Sequence, residues 1–184
     1  MCIRDRLESI KKRLPWLVVL LGLSLCVSTV TGMFENVISH LAIIVSFQSL
    51  ILGMSGNVGT QSLAVTIRVL MDEDLSAGQK WSLVFKEARI GFCNGLMLGI
   101  LAFAFIGTYV CLFKGRGVQY AFSISACAGI ALMLAMTISS VVGTVVPMFF
   151  HKVKVDPAVA SGPLISTVND FVAVVTYYGL AWIL

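Results

Sequence analysis

The sequence predicts an all-α integral membrane protein with five transmembrane helices. Composition and the length of the apolar runs carry that expectation. Of 184 residues, 58% are hydrophobic and 12% charged, with a mean hydropathy of +0.96, whereas a soluble domain carries about 25% charged residues. Crossing a hydrocarbon layer of roughly 30 Å takes about 20 mostly apolar residues at a rise of about 1.5 Å each. Five segments meet that requirement, and no polar stretch exceeds about twenty residues, which leaves no place for a second, soluble domain.

The first span runs from about Trp16 to Phe34, entered through Pro15, which a first helical turn tolerates. It is too long for a signal-peptide core and lacks a small-residue cleavage site, so it is retained. The second runs from about Val37 to Ile67, apolar at first and then rich in Gly, Asn, Gln and Thr. A charged segment, Arg68 to Arg89, leads to the third, from about Ile90 to Phe113. The fourth, Val118 to Phe150, is long for one crossing and short for two, so tilt or a kink at Pro147 is expected. The fifth runs from about Ala158 to Leu184. Residues 1–13 form a polar N-terminal segment, of which Met1 to Arg6 have the look of an assembly scar and carry no weight.

Lys and Arg orient the bundle, because cytoplasmic loops carry the excess. Eleven fall on the side of the N-terminus, and only Lys114 and Arg116 on the other. The N-terminus is therefore expected inside and the C-terminus outside. Trp16 and Trp81 then mark the inner interface, Tyr109 and Trp182 the outer. The basic residues flank apolar runs and are not interleaved with aromatics in a stripe, so the lipid bilayer is the expected partner and nucleic acid is not. Cys2, Cys26, Cys93, Cys111 and Cys127 contain no C-x-x-C pair and read as small apolar fillers.

Eight of the nine acidic residues fall in loops or at span ends on this reading; Asp170 falls in the middle of the fifth span. A carboxylate at that depth costs about 2.5–3.5 kcal/mol even on insertion scales, so it must face the bundle interior, water or a cation. It is either an ion site or a protonated acid bonded to a neighbouring helix. Gly162, Ser166 and Asp170 are spaced i, i+4, i+8 along one helix face, flanked by Pro163 and Thr167. Pro163 removes the donor for the Val159 carbonyl, so a broken helix with spare carbonyls is expected here.

In the second span, Gly53, Gly56 and Thr60 share a face with Asn57 adjacent and Gln61 a turn beyond. These residues either let a hydrated ion approach uncharged oxygens or let two helices pack closely. Gly91, Gly95 and Gly99, at four-residue intervals, are expected to serve helix packing. The run Asp72, Glu73, Asp74 reads as a solvated loop.

Three stretches together carry a family resemblance: RLPWL at 13–17, GMSGNVGTQSLAVTIRVL at 53–70 and DPAVASGPLISTVNDFVAVVTYYGLA at 156–181. The chain from residue 14 to 184 resembles the membrane domain of the MgtE-type magnesium transporters, with GNxGxQ and DPAxxSxP…D as the specific pair of signatures. The resemblance implies a homodimer with five spans per protomer in a bacterial plasma membrane, and an ion path at the subunit interface. It implies that Asp170 holds hydrated Mg²⁺, that Gly162 and Ser166 present backbone carbonyls to it, and that Gly53, Gly56, Asn57 and Thr60 line the wall. Ser49 stands where members often have a proline, eight residues before Asn57. The acidic helical domain and CBS domains that usually precede the membrane part are absent, leaving Leu7 to Arg13 as the stump of a connecting helix; the chain is expected to be a fragment or a member regulated otherwise.

The chemistry suits magnesium. Mg²⁺ prefers oxygen, demands octahedral geometry and sheds water reluctantly, so one or two carboxylates with several retained waters usually hold it. No phosphate-binding GxxxxGK[ST] is present, and an interior-negative voltage supplies about 2.3 kcal/mol per charge per 100 mV instead. Besides a purely structural membrane subunit, in which replacing Asp170 by Asn would leave transport intact, two other readings compete. One is a transporter of another cation such as Co²⁺, Zn²⁺ or Na⁺. The other is an intramembrane serine protease built on Gly53-Met54-Ser55-Gly56, which His40 and His151 are badly placed to serve as base.

Overall fold

The computed structural model describes residues 3–40, 42–72, 76–154 and 157–183. The acidic run at 72–74, the His40 side chain, the side chains of 155–161 and those of the first nine residues lie outside what it describes. The described chain is helical: α1 (Ile3–Met33), α2 (Glu35–His40), α3 (Ala42–Asp72), α4 (Ala77–Phe113), α5 (Val118–Lys152) and α6 (Pro157–Ala181). Five of these helices contain a stretch long and apolar enough to cross a membrane.

The boundaries differ from the sequence expectation in two places. The second segment divides, with the short α2 preceding α3, which then continues to Asp72. The segment Arg68 to Arg89, expected as a charged connection, is mostly helix. Ser76 caps α4 by accepting from the Gln79 N–H while the Gln79 side chain accepts from the Ser76 N–H, so the helix starts at Ala77 instead of Ile90. That reciprocal cap satisfies two donors that helix starts leave orphaned, and it adds about three turns to the third span. α4 ends at Phe113 with Lys114 as its C-cap, and Gly115 follows at φ +60°. α5 runs unbroken through Pro147 and α6 through Pro163. The break expected in the fifth span is therefore not there.

α5 is the centre of the bundle, packed by α3, α4 and α6. Glycines set its distance from α4. A methyl group on Gly91 would meet the Ser140 Cβ at 2.6 Å, on Gly95 the Met133 backbone at 2.9 Å, and on Gly99 the Gly129 carbonyl at 2.7 Å. The four-residue glycine repeat thus places backbone against backbone, as small residues do where lipid supplies no hydrophobic drive. α3 crosses α5 at Gly59 and Gly143, again with no room for a Cβ. Near one end of the bundle Tyr177 donates to the Ile44 carbonyl over 2.8 Å, and Tyr178 to Gln48 Oε1 over 2.6 Å, joining α6 to α3. Both tyrosines are fully buried, and their hydroxyls find partners as buried hydroxyls must.

α1 lies outside this core, against α6, and α3 barely touches α4. The bundle therefore has an open groove on each side of α3. Of the described cysteines only Cys127 is buried, while Cys26 and Cys93 are exposed on the bundle surface.

Candidate functional site

Asp170 sits midway along α6, half-buried, on the wall of a cavity of about 390 Å³ between α1, α3 and α6. α1 contributes Ser24, Ser28 and Thr31, α3 contributes Gln48, and α6 adds Thr167 beside Asp170. Their spacing on α1 is i, i+4, i+7, which is one helical face. Six waters around an octahedral cation occupy about 180 Å³ at ~30 Å³ each, so the cavity admits a hydrated ion. Among the described residues no group of three His, Cys, Asp or Glu comes together. The donors lining the cavity around Asp170 are neutral oxygens and an amide, a set suited to a hard cation that keeps its water.

Ser166 donates to the Gly162 carbonyl over 3.3 Å and Thr167 to the Pro163 carbonyl over 3.1 Å. These hydroxyls back-bond to the turn below, onto carbonyls that within the continuous α6 also face the backbone N–H four residues on. Ser166 and Pro163 are exposed, and a Cβ on Gly162 would meet nothing within 4 Å.

Gly53 and Gly56 are likewise open, with nothing within 4 Å of a built Cβ among the described residues. Asn57 and Thr60 line a different cavity, about 440 Å³, between α3 and α4, with Gln61 and Asn94. Thr60 donates to the Asn57 carbonyl over 2.8 Å. Asp170 and the Asn57–Thr60 pair thus open on opposite sides of α3, while among the described residues Gly53, Asn57, Thr60, Pro163 and Ser166 form exposed faces on α3 and α6.

Several polar residues here escape a reading by span. Ser24, Ser28 and Thr31 carry no charge, and only the packing of α1 on α6 turns their face toward Asp170. Gln48 has a signal only in retrospect, since Tyr178 orients it from 130 residues away. Glu87, expected in a connection, is a buried residue of α4. Its Oε2 lies 2.9 Å from Ser62 Oγ of α3, which is 2.8 Å from Ser140 Oγ of α5. Asn169, next to Asp170, is fully buried against Gly59, and among the described residues neither of its amide atoms has a hydrogen-bond partner. Ser55 of the protease-like stretch is buried and donates to the Leu52 carbonyl of its own helix, and His151 is exposed at the far end of α5.

Comparison with known proteins follows the same outline. The MgtE family model, described as a divalent cation transporter, matches residues 48–180. The magnesium transporter MgtE of Bacillus subtilis is 35% identical over 170 residues, covering 92% of this chain and 36% of the relative. That of Enterococcus faecalis is 34% identical over 175 residues, covering 95% and 37%, and that of Thermus thermophilus 30% over 173, covering 94% and 36%. The chain spans little more than a third of the length of these relatives.

Proposed function

This chain belongs to the MgtE family of divalent cation transporters, and from that premise we propose that it conducts Mg²⁺ across a membrane with Asp170 as the carboxylate that holds the ion. Membership places it among transporters and not among enzymes. The observation that carries the magnesium reading is the position of Asp170: a half-buried acid inside an apolar bundle, opening on a polar cavity of hydrated-ion size. A group of this kind at membrane depth faces the bundle interior, water or a cation, and the polar lining of this cavity suits the last two.

The functional unit is a homodimer. Gly53, Asn57, Thr60, Pro163 and Ser166 are open in a single protomer, and polar or backbone-baring faces are not left against lipid. A second copy covers these faces, brings its own Asp170 toward the first, and forms the pathway at the interface. Gly162 and Ser166 then contribute carbonyl oxygens, and Gly53, Gly56, Asn57 and Thr60 the wall. Two carboxylates and retained waters make the coordination that Mg²⁺ favours. The N-terminus is cytoplasmic and influx is driven by voltage, which supplies about 4.6 kcal/mol per 100 mV for a divalent ion.

Magnesium uptake into liposomes carrying the full chain tests this. Wild type takes up Mg²⁺ and is blocked by hexaamminecobalt, a mimic of the hydrated ion, whereas Asp170→Ala falls to the level of empty liposomes. Equal uptake by the two would end the assignment. Uptake of Co²⁺, Zn²⁺ or Na⁺ in preference to Mg²⁺, without hexaamminecobalt block, would favour a transporter of another cation.

A further inference from the structure

The first turns of α4 carry a surface that the proposed ion path does not use. Their depth is set by α5. That helix has no charged residue from Val118 to Phe150, after which His151 and Lys152 follow, so its apolar run reaches the membrane interface near Phe150. Gly91 faces Ser140 and Gly99 faces Gly129. This antiparallel register carries Trp81 of α4 to the level of the last turns of α5, where the Phe149 and Phe150 rings lie 5.8 Å apart. Aromatic residues of two helices thus mark one interface, as amphipathic rings do at the edge of the hydrocarbon.

Lys86 and Arg89 lie five and eight residues beyond Trp81, about 8 and 12 Å deeper along the helix. Both are exposed on the bundle surface. Glu87, the only acid in the sequence of α4 and α5, does not face them outward: it is buried, with Ser62 and Ser140 as its partners. Two cations therefore sit below the aromatic level, on a surface without a described counter-charge. Long basic side chains on such a surface lay their stems along apolar neighbours and bring their charged ends back toward the headgroups. On a helix they lean toward the N-terminus, which here is the direction of Phe85 and Trp81. Those two rings stand one turn apart, 63% and 65% exposed, with centroids 6.5 Å from each other.

We propose that Trp81, Phe85, Lys86 and Arg89 form a docking site for a phospholipid whose headgroup carries a net negative charge. Arg89 and Lys86, neighbours at i and i+3, meet the phosphate, the guanidinium through paired N–H donors and the ammonium as a point charge. The Trp81 and Phe85 rings pack on the glycerol and the first methylenes. Charge selects the occupant. A zwitterionic headgroup would bring its own ammonium to two cations, with no exposed acid on α4 or α5 to receive it, whereas an anionic one brings only the complementary charge. Lys152 and Lys154, exposed at the same end of the bundle, add to that field. The site is separate from Asp170, which opens between α1, α3 and α6.

Quenching of Trp81 fluorescence tests this. The full chain carrying Trp16→Phe and Trp182→Phe keeps Trp81 as its one indole. It is placed in vesicles of equal phosphatidylglycerol and phosphatidylcholine, with bromine on the acyl chains of one lipid or the other. Brominated phosphatidylglycerol is expected to quench more strongly, by a preference of about fivefold for each cation that meets the headgroup. Lys86→Gln combined with Arg89→Gln removes the preference, whereas Lys114→Gln combined with Arg116→Gln, at the opposite end of α4, leaves it. Equal quenching by the two lipids, or a preference that survives Lys86→Gln with Arg89→Gln, overturns the proposal. Should that double variant fail to fold, the comparison of the two lipids in the single-tryptophan parent decides alone. The readout is the same whether or not Asp170 conducts magnesium.

Discussion

Asn169 of α6 is pressed so closely on Gly59 of α3 that a methyl group at residue 59 would overlap its amide nitrogen. Gly59 also meets Gly143 of α5 on its backbone oxygen. One glycine of the GNVG stretch therefore lies where three helices cross, one residue away from Thr60 and beside the turn that carries Asp170. This crossing sets the register of α3 against α6, and with it the distance between the α3 oxygens and the carboxylate.

Gly143→Ala is expected to be more damaging than Gly59→Ala. The first would drive a methyl group into backbone, which cannot yield, and the second into the end of an amide side chain, which can. Overpacking costs about 1–3 kcal/mol, with Gly143→Ala at or above the upper end. Thermal unfolding in detergent ranks the two, and equal stability of both variants to wild type would contradict the crossing.

Tyr178→Phe removes a 2.6 Å bond to Gln48, whose amide also lines the Asp170 cavity. The loss expected is about 0.5–1.5 kcal/mol. Because Gln48 is then free to turn, the apparent affinity for Mg²⁺ in uptake assays shifts more than the unfolding temperature does.

Acid should compete with magnesium at Asp170. A proton would occupy the oxygens that the proposed ion needs, and in the proposed dimer two such acids would share a proton when the ion leaves. Uptake at low Mg²⁺ is expected to fall as pH is lowered from about 8 to about 5, and to be restored by raising Mg²⁺. A flat profile counts against a shared carboxylate site.

The α1 face toward Asp170 should be wet. In a background with the native cysteines replaced, Ser28→Cys is expected to react with a membrane-impermeant thiol reagent, and Mg²⁺ to slow the reaction. A cysteine at Leu21, which is 61% exposed on the outside of the bundle, should stay unmodified in lipid. Equal reactivity at both positions would remove the cavity as a water-filled space.

Much of this architecture is readable before any coordinates. Apolar run length announces five spans because hydrocarbon thickness sets a minimum that no soluble segment needs to meet. Asp170 identifies itself because a lone acid at depth is costly, and the glycine repeat at 91, 95 and 99 because spacing by four keeps small residues on one face. Glu87 hides for the complementary reason. It lies among Lys80, Lys86 and Arg89, in a stretch whose composition resembles a connection, and only the Ser76–Gln79 cap and the packing of α5 make that stretch a helix with a buried side.

Linear order thus settles which segments are helices of the membrane and which residues are too polar to face lipid, since both follow from the free energy of moving a side chain out of water. Tertiary packing alone decides which of those polar residues meet. The Ser24, Ser28 and Thr31 face reaches Asp170, Tyr178 reaches Gln48, and Ser62 and Ser140 close on Glu87, because helices far apart in the chain are packed together in a register that no local pattern specifies.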